Sequence, residues 1–442
     1  MTFRMLHTSD WHLGQNFYGK SRANEHQQFL NWLLQQVTEH DIDAVIVAGD
    51  IFDTGTPPSY AREMYFDFIV NIKAKNCQLI LLAGNHDSVA MLGESKQLLS
   101  HLSCQVITQA IDDDSAQLSK QVITLKNKQG NNAAVLCAIP FIRPRDIIAS
   151  SAGQSAKEKQ QSLQQAISDH YQCLYQQAET VAITDDNKIL PIIATGHLTT
   201  VGVTASESVR DIYIGTLEAF PANAFPKADY IALGHIHRSQ IVAKSDHIRY
   251  CGSPIALSFD EAKQTKKVLI VEFDQAELVQ VTEQNIPCFQ PLLMVKSKLD
   301  ELTSDIENLV GAIDTSSFEE SGQKIWLDIE INSAEYLQDL TPRIESLVKE
   351  LPVEVLLVRR SKKSRQSMPA SQKKITLNEL SLTDVFATRL AQEEWKSDKE
   401  LSQKLRLEEM FAQALEQVQH QSTESETVAG SCVASLIEGE KQ

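Results

Sequence analysis

Five times in the first 260 or so residues a short apolar run ends in a polar cluster of Asp, Asn, His and Gly, and no other feature constrains the fold as tightly. The runs are Arg4–His7, Ala44–Ala48, Leu79–Ala83, Leu190–Ala194 and Tyr230–Leu233. The clusters behind them are Asp10-Trp11-His12, Gly49-Asp50-Ile51-Phe52-Asp53, Gly84-Asn85-His86-Asp87, Gly196-His197 and Gly234-His235-Ile236-His237. Unbroken apolar runs of this length suit strands buried on both faces. Helical stretches at Gln27–Thr38 and Tyr60–Lys73 lie between them. The pattern is that of an α/β domain whose helices cover a central sheet. In open α/β sheets ligands sit outside the carboxyl ends of the strands, so neighbouring strands would bring the five clusters to one rim. A glycine before four of the clusters lets the backbone turn and approach closely.

The residue types point to a hard or borderline divalent metal. Asp and His without Cys suit Mn²⁺, Fe²⁺, Zn²⁺ or Mg²⁺ rather than a thiolate site. On an extended segment alternate side chains point the same way, so Asp10 and His12 can grip one ion, and the same period puts His235 and His237 on one side. Asp50 can bridge two ions, and Asn85 can ligate through its amide oxygen without adding charge. Together with His197 these seven candidates fit a two-metal centre, which activates a water and clamps phosphoryl oxygens with ions about 3.5–4 Å apart. A single D-x-H or H-x-H is as a rule a surface or structural feature. Five clusters in order, each behind an apolar strand, are not. His7, beside the first cluster, is expected to be packed rather than a ligand.

The formal net charge of −17 argues against coating nucleic acid by bulk electrostatics, but leaves a nuclease open because bound cations invert the field locally. No stretch approaches the apolar length of a membrane span. The start, Met1 to His7, has no signal-like apolar core, so the cytoplasm is the expected compartment. Seven scattered cysteines, none in a CxxC pair, disfavour a disulfide framework.

Residues 1–267 are assigned to the layered domain, with the polar, Gln-rich helical stretch 151–189 as an insertion on it. Strand-like Val268–Phe273, Leu292–Val295, Ile325–Ile331 and Val353–Val358 bracket helical stretches at 300–313 and 333–350, giving a second, smaller α/β unit over 268–358. A basic run, 359–375, reads as a solvated linker. Two amphipathic helices are expected in 376–419, the second with the stripe Leu407, Met410, Phe411, Ala414, Leu415 and Val418. The Ser-, Glu- and Gly-rich end, 420–442, is expected to be disordered.

The series D-x-H, G-D, G-N-H-D, G-H and G-H-x-H resembles the calcineurin-like metallophosphoesterase superfamily. Finer features resemble a bacterial nuclease branch of it: His7 to Gly14, Asp53-Thr54-Gly55-Thr56-Pro57-Pro58-Ser59-Tyr60-Ala61-Arg62, Ala194 to Thr199, Tyr230 to Arg238, Tyr250-Cys251-Gly252-Ser253-Pro254 and Leu351 to Arg360. The resemblance covers roughly residues 1–415. It implies a four-layer sandwich, two central mixed sheets flanked by helices, with a smaller α/β capping domain and C-terminal helices.

It also implies two manganese ions. Asp10, His12 and His237 would hold one, Asn85, His197 and His235 the other, and Asp50 would bridge. His86 matches the transition-state histidine, stabilising charge on the phosphate or protonating the leaving oxygen, with Asp87 orienting its ring. One position departs: relatives from archaea and eukaryotes carry a second histidine three residues after the bridging aspartate, where this chain has Asp53. Asp53 is expected to turn the backbone or to hold a ligand's partner group.

The implied activity is 3′-to-5′ double-strand exonuclease, single-strand endonuclease and hairpin opening, in recombination, replication and repair. The implied partners are DNA ends and a coiled-coil ATPase gripped by the C-terminal helices, in a heterotetramer whose homodimer contact uses helices near 60–73 and 91–102. ATP hydrolysis is assigned to that ATPase, on the reading that this chain lacks a G-x-x-x-x-G-K-[ST] loop. Tyr60, Arg62 and the loop Gln15–Arg22 are open to two readings, DNA contacts or ordinary surface. The competing function is a small-molecule or nucleotide phosphodiesterase with the same metal centre.

Overall fold

The structure is a computed structural model that describes residues 2–111, 118–148, 156–184, 188–210, 212, 219–311, 323–332 and 340–361, and positions 386, 389, 390, 404, 406, 407, 410 and 411. The linker beyond 361, most of 376–419 and all of 420–442 lie outside the described residues.

Two mixed six-stranded sheets form the centre. The first runs β14 (Glu277–Asn285), β13 (Lys267–Asp274), β1 (Thr2–Thr8), β4 (Ala44–Ala48), β5 (Gln78–Leu82), β6 (Cys104–Ile107). The second runs β11 (Gln240–Val242), β12 (Ser245–Tyr250), β10 (Tyr230–Gly234), β9 (Ile192–His197), β8 (Asn132–Cys137), β7 (Val122–Lys126). In the first sheet β1, β4, β5 and β6 run parallel and β13 and β14 add an antiparallel edge; in the second a parallel centre carries antiparallel edges on both sides.

Side-chain alternation explains why the strands read as unbroken apolar runs. Leu6, Val45, Val47, Leu79 and Leu81 face α1 (Ala23–Glu39) and α2 (Ser59–Ala74), packing on Phe29, Leu33, Tyr65, Phe68 and Ile69. Met5, Ala44, Ile46, Ile80 and Leu82 face the other way, into a core shared with Leu125, Leu136, Ile193, Tyr230 and Ala232 of the second sheet. That sheet's far side, with Val135, Ala194, Ile231 and Leu233, packs on Leu163, Ile167, Tyr171, Leu174 and Ala178 of a 27-residue helix, Ala156–Ala182. The layers run helix, sheet, sheet, helix, as the family resemblance implies.

Two assignments change. The stretch 151–189 is not an add-on: its long helix is the outer layer that covers the second sheet. Its Gln-rich face hid an apolar stripe at helical spacing. Val268–Phe273 does not open the second unit. Its strand, β13, pairs antiparallel with the whole length of β1, Thr2 opposite Asp274 and His7 opposite Leu269, so the layered domain runs past 267. A strand that returns to an N-terminal sheet carries no local mark of its partner.

Further along the chain a three-stranded sheet has the order β15 (Leu292–Ser297), β16 (Ile325–Ile331), β17 (Val353–Arg360), with short helices at Leu302–Gly311 and Leu340–Val348. Arg359 and Arg360 end β17 rather than beginning a linker. By contact density the chain forms two compact units, one of Met1–Val295, Thr303–Asp328 and Leu347–Leu357, the other of the remaining segments. Within the second, Lys296 pairs with Glu330 at 2.9 Å, and the ring of Phe386 stacks on Phe411 at 3.9 Å.

Candidate metal centre

Each cluster leaves the carboxyl end of a strand, but the strands belong to both sheets. Asp10, His12, Asp50 and Asn85 follow β1, β4 and β5, whereas His197, His235 and His237 close or follow β9 and β10. The rim is therefore the edge of a two-sheet sandwich rather than of one sheet.

The backbone there departs from the expected extended geometry. Asp10, His12, Asp50 and His235 have φ of +53°, +48°, +49° and +93°, a left-handed region in which a non-glycine residue costs on the order of 1–3 kcal/mol. Neither D-x-H nor H-x-H presents its side chains by strand alternation. The first turn is over-determined by its middle residue. Trp11 is fully buried, edge-on to Phe29 and Phe68, with its Nε1–H donating to Thr8 Oγ1 at 3.0 Å. Backbone bonds Asp10 N–H to Gly49 O, His12 N–H to Asp50 O and Leu13 N–H to Ile51 O continue the β1–β4 ladder through the strained turn.

Close approach explains two glycines. A Cβ on Gly49, at φ +95°, would sit 2.1 Å from His197 Nδ1, and one on Gly234 would sit 1.9 Å from the Ala48 carbonyl oxygen.

All seven predicted ligand residues converge. Donor atoms of Asp10, His12 and His237 lie within 4.8 Å of one another, as do those of Asp50, His197 and His235. Asn85 Oδ1 stands 3.0 Å from His197 Nε2 and 3.1 Å from His235 Nδ1. Asp50 Oδ2 stands 3.6 Å from His12 Nε2 and 3.2 Å from His197 Nε2, between the two groups, where a bridging carboxylate belongs. The imidazoles are aimed by their other nitrogens: His12 Nδ1–H donates to Asp53 Oδ1 at 3.0 Å, and His197 Nδ1–H to the Ala48 carbonyl at 2.9 Å. That leaves His12 Nε2 buried without a hydrogen-bond partner. Such lone pairs crowding buried carboxylate and amide oxygens need a proton or a cation, and the donor set fits two divalent ions.

The electrostatics agree. Burial alone would lower His12 and His197, yet Asp53 and Asp50 raise His12 to about 9, and Asp50 raises His197 to about 9. Asp50 itself, though buried, is held well below the carboxylate range by His197 and His86.

His86 stands edge-on to His12, ring centroids 4.6 Å apart, and burial lowers it to about 4 against the pull of Asp50. The Asp53 carbonyl, an acceptor only, takes its Nδ1–H at 2.7 Å. Asp87 does not orient the ring. Its carboxylate accepts the backbone N–H groups of Gly84 at 2.8 Å, Phe52 at 3.0 Å and Ile51 at 3.1 Å, stapling the loop of Asp50 to that of His86. Burial and the nearby Asp50 lift it to about 6. Asp53 thus holds the Nδ1–H of His12, a predicted ligand, and aims His86 through its carbonyl.

His7 is buried and lowered to about 3 by desolvation. Its Nε2–H donates to the Leu233 carbonyl at 3.2 Å, and Nδ1 accepts from Tyr230 Oη at 3.0 Å, so it ties the two sheets and ligates nothing.

The loop Gln15–Arg22 is partly withdrawn from any ligand. Arg22, 1% exposed, lies over the rings of Phe17 and Trp326 and donates to Glu25 and to the Ala256 carbonyl. The reading that the chain lacks a G-x-x-x-x-G-K-[ST] string is wrong, because Gly14-Gln15-Asn16-Phe17-Tyr18-Gly19-Lys20-Ser21 matches it letter for letter. Its structure is nevertheless a hairpin, Asn16–Phe17 against Lys20–Ser21, with Lys20 paired to Glu354 at 2.7 Å and Gly19 N–H donating to Asn16 Oδ1. It forms no phosphate cradle of converging N–H groups.

Sequence reasoning missed Ser208, Glu261 and Lys266. His237 Nδ1 lies 2.6 Å from Ser208 Oγ, which is 2.5 Å from Glu261 Oε1, and Lys266 Nζ donates to Glu261 Oε2 at 2.5 Å. They come from three separate segments, and no spacing links them.

Residues 3–239 match the family model described as calcineurin-like phosphoesterase, and residues 288–394 one described as type 5 capsule protein repressor C-terminal domain. The chain is 51% identical over 414 residues to SbcD, a component of the SbcCD nuclease of Escherichia coli K12, covering 93% of this chain and 98% of that protein. It is 28% identical to the proteins of the same name from Rhodobacter capsulatus, over 79% of this chain and 85% of that one, and from Bacillus subtilis, over 76% and 80%.

Proposed function

The chain belongs to the calcineurin-like phosphoesterase family, in its SbcD nuclease branch, and from that premise we propose that the centre cleaves DNA phosphodiester bonds by metal-assisted hydrolysis. The observation that carries the reading is Asp50 Oδ2 set between His12 Nε2 and His197 Nε2, with His86 beside them.

Asp10, His12 and His237 would hold one cation, Asn85, His197 and His235 the other, with Asp50 shared; Mn²⁺ is the ion we favour. The chemistry supplied by such a pair is polarisation of the attacking water and neutralisation of charge on the phosphoryl oxygens. The protein's own groups do the rest. His86, its Nδ1–H engaged by the Asp53 carbonyl, is left with Nε2 to take up a proton against the negative charge of a seated phosphodiester. Asp53 and the Ala48 carbonyl keep the ligand imidazoles in the tautomer that leaves Nε2 free.

We assign 3′-to-5′ exonuclease, single-strand endonuclease and hairpin opening to this centre. The partner we propose is an SbcC ATPase bound by the C-terminal helices, where Phe386 meets Phe411. Exposed Phe66 and Val70 on α2 and Leu98 on the helix Lys96–Ser100 support a homodimer contact within a heterotetramer. Among the described residues no helix is long and apolar enough to cross a membrane. We take the smaller α/β unit, expected over 268–358 and shortened at its start by the pairing of β13 with β1, as a capping unit, and the cytoplasm as the compartment.

The test is Mn²⁺-dependent cleavage of a labelled hairpin-ended duplex by the full chain, with and without SbcC and ATP, beside a generic phosphodiester ester. Hairpin opening that is stimulated by SbcC and lost in Asp50→Ala is the expected result. Turnover of the small ester with DNA untouched, even with SbcC and ATP, would overturn it in favour of a small-molecule phosphodiesterase.

A further inference from the structure

Three segments meet at His237 on the side away from the other donors. Ser208 comes from the loop after β9, Glu261 from the turn Phe259–Glu261, and Lys266 from the approach to β13. Glu261 is fully buried and its carboxylate is saturated. Oε1 accepts from Ser206 Oγ at 2.6 Å and Ser208 Oγ at 2.5 Å, and Oε2 from Leu257 N–H at 3.0 Å and Lys266 Nζ at 2.5 Å, with Ser253 Oγ at 3.4 Å.

The proton count fixes the rest. A carboxylate can only accept, so the single hydroxyl hydrogen of Ser208 points at Glu261. Its oxygen then faces His237 Nδ1 with a lone pair, and Nδ1 must carry the hydrogen. Nε2 of His237 is left unprotonated, the form a metal requires. Lys266 meanwhile donates to the His237 carbonyl at 3.1 Å, so backbone and ring are held by one network. Buried ion pairs contribute little net stability compared with apolar packing. A network that converges on one imidazole is explained by orientation instead.

We propose that Ser208 and Glu261 are positioning residues for His237, a hydroxyl-bridged carboxylate that fixes the ring's tautomer and aims Nε2 at the cation shared with Asp10 and His12. This rests on the metal-centre reading above and extends it to residues that no motif contains. The arrangement does for His237 what the Asp53 carboxylate does directly for His12.

The test uses the full-length chain, Mn²⁺ titrations by calorimetry and electron paramagnetic resonance, and metal-free melting curves, for Ser208→Ala, Ser208→Thr and Glu261→Gln. Ser208→Ala and Glu261→Gln are expected to weaken one of the two Mn²⁺ sites about tenfold or more, the usual cost of losing a ligand's hydrogen-bond partner. At intermediate Mn²⁺ the spin-coupled pair signal gives way to an isolated-ion spectrum. Ser208→Thr, which keeps the hydroxyl, restores the parent titration, and the metal-free melting temperature of Ser208→Ala stays at the parent value. A Ser208→Ala protein that titrates like the parent overturns the proposal. So does one that loses both sites together with a fall in metal-free melting temperature that threonine fails to reverse. A parent chain that binds two Mn²⁺ but leaves DNA intact would sink the nuclease reading and leave this one standing.

Discussion

Asp53 holds His12 through its carboxylate, Oδ1 to Nδ1 at 3.0 Å, while its own carbonyl takes the Nδ1–H of His86 at 2.7 Å. One residue thus aims a proposed metal ligand and the neighbouring histidine, through atoms that substitution affects differently.

Asp53→Ala removes only the carboxylate. Mn²⁺ affinity measured calorimetrically is expected to fall about 10–100-fold. Asp53→Asn keeps an oxygen for the hydrogen bond and loses the charge, so its loss is smaller. Equal titrations for all three proteins would contradict the arrangement.

His86→Ala should leave Mn²⁺ binding near the parent level, since His86 is outside the proposed donor set. Single-turnover DNA cleavage at saturating Mn²⁺ is expected to fall about 10²–10⁴-fold, the usual range for a general acid–base group. A variant that cleaves at the parent rate removes His86 from the chemistry.

Metal affinity should rise with pH. His12 and His197, raised to about 9 by buried carboxylates, must lose their protons before Nε2 can ligate. Binding therefore releases protons below about 9, and affinity climbs from pH 6 toward 9 before levelling. Calorimetry in buffers of different ionisation enthalpy counts the protons; none released at pH 7 would refute this.

His7 bears on acid stability. Its folded value, about 3, is depressed below the ordinary 6.5, so its contribution is present above 6.5 and is lost as pH falls toward 3. The loss is about 1.4 kcal/mol per pH unit for one such group. His7→Gln can keep both hydrogen bonds without titrating, and denaturant curves at pH 4–6.5 should show a shallower slope than the parent. An identical slope would exonerate His7.

The donor residues were legible because each follows its strand within a few positions, so short-range order sufficed to place Asp10, Asp50, Asn85, His197 and His235 at strand ends. How they point was not. The left-handed backbone at Asp10 and His12 depends on burying Trp11 against α1 and α2, and Asp87 found three N–H donors on loops from two strands. Partners far apart in the chain, as His7 with Tyr230 or Ser208 with Glu261, leave no periodic trace. The same blindness misplaced β13, and a letter-perfect string at Gly14–Ser21 proved to be a hairpin.

The split of donors between the sheets has a mechanical consequence. Asp10 and His12 lie on one side of the sandwich and His237 on the other, as do Asn85 and its partners His197 and His235. A cation seated at either position is a rivet through two independently hydrogen-bonded plates. At a hundredfold excess over Kd each rivet adds about 2.7 kcal/mol against their separation. Conversely, a slide of one plate past the other would pull apart the donors within each seat, Asp10 and His12 from His237 and Asn85 from His197 and His235, so an occupied centre would resist shear as well as separation.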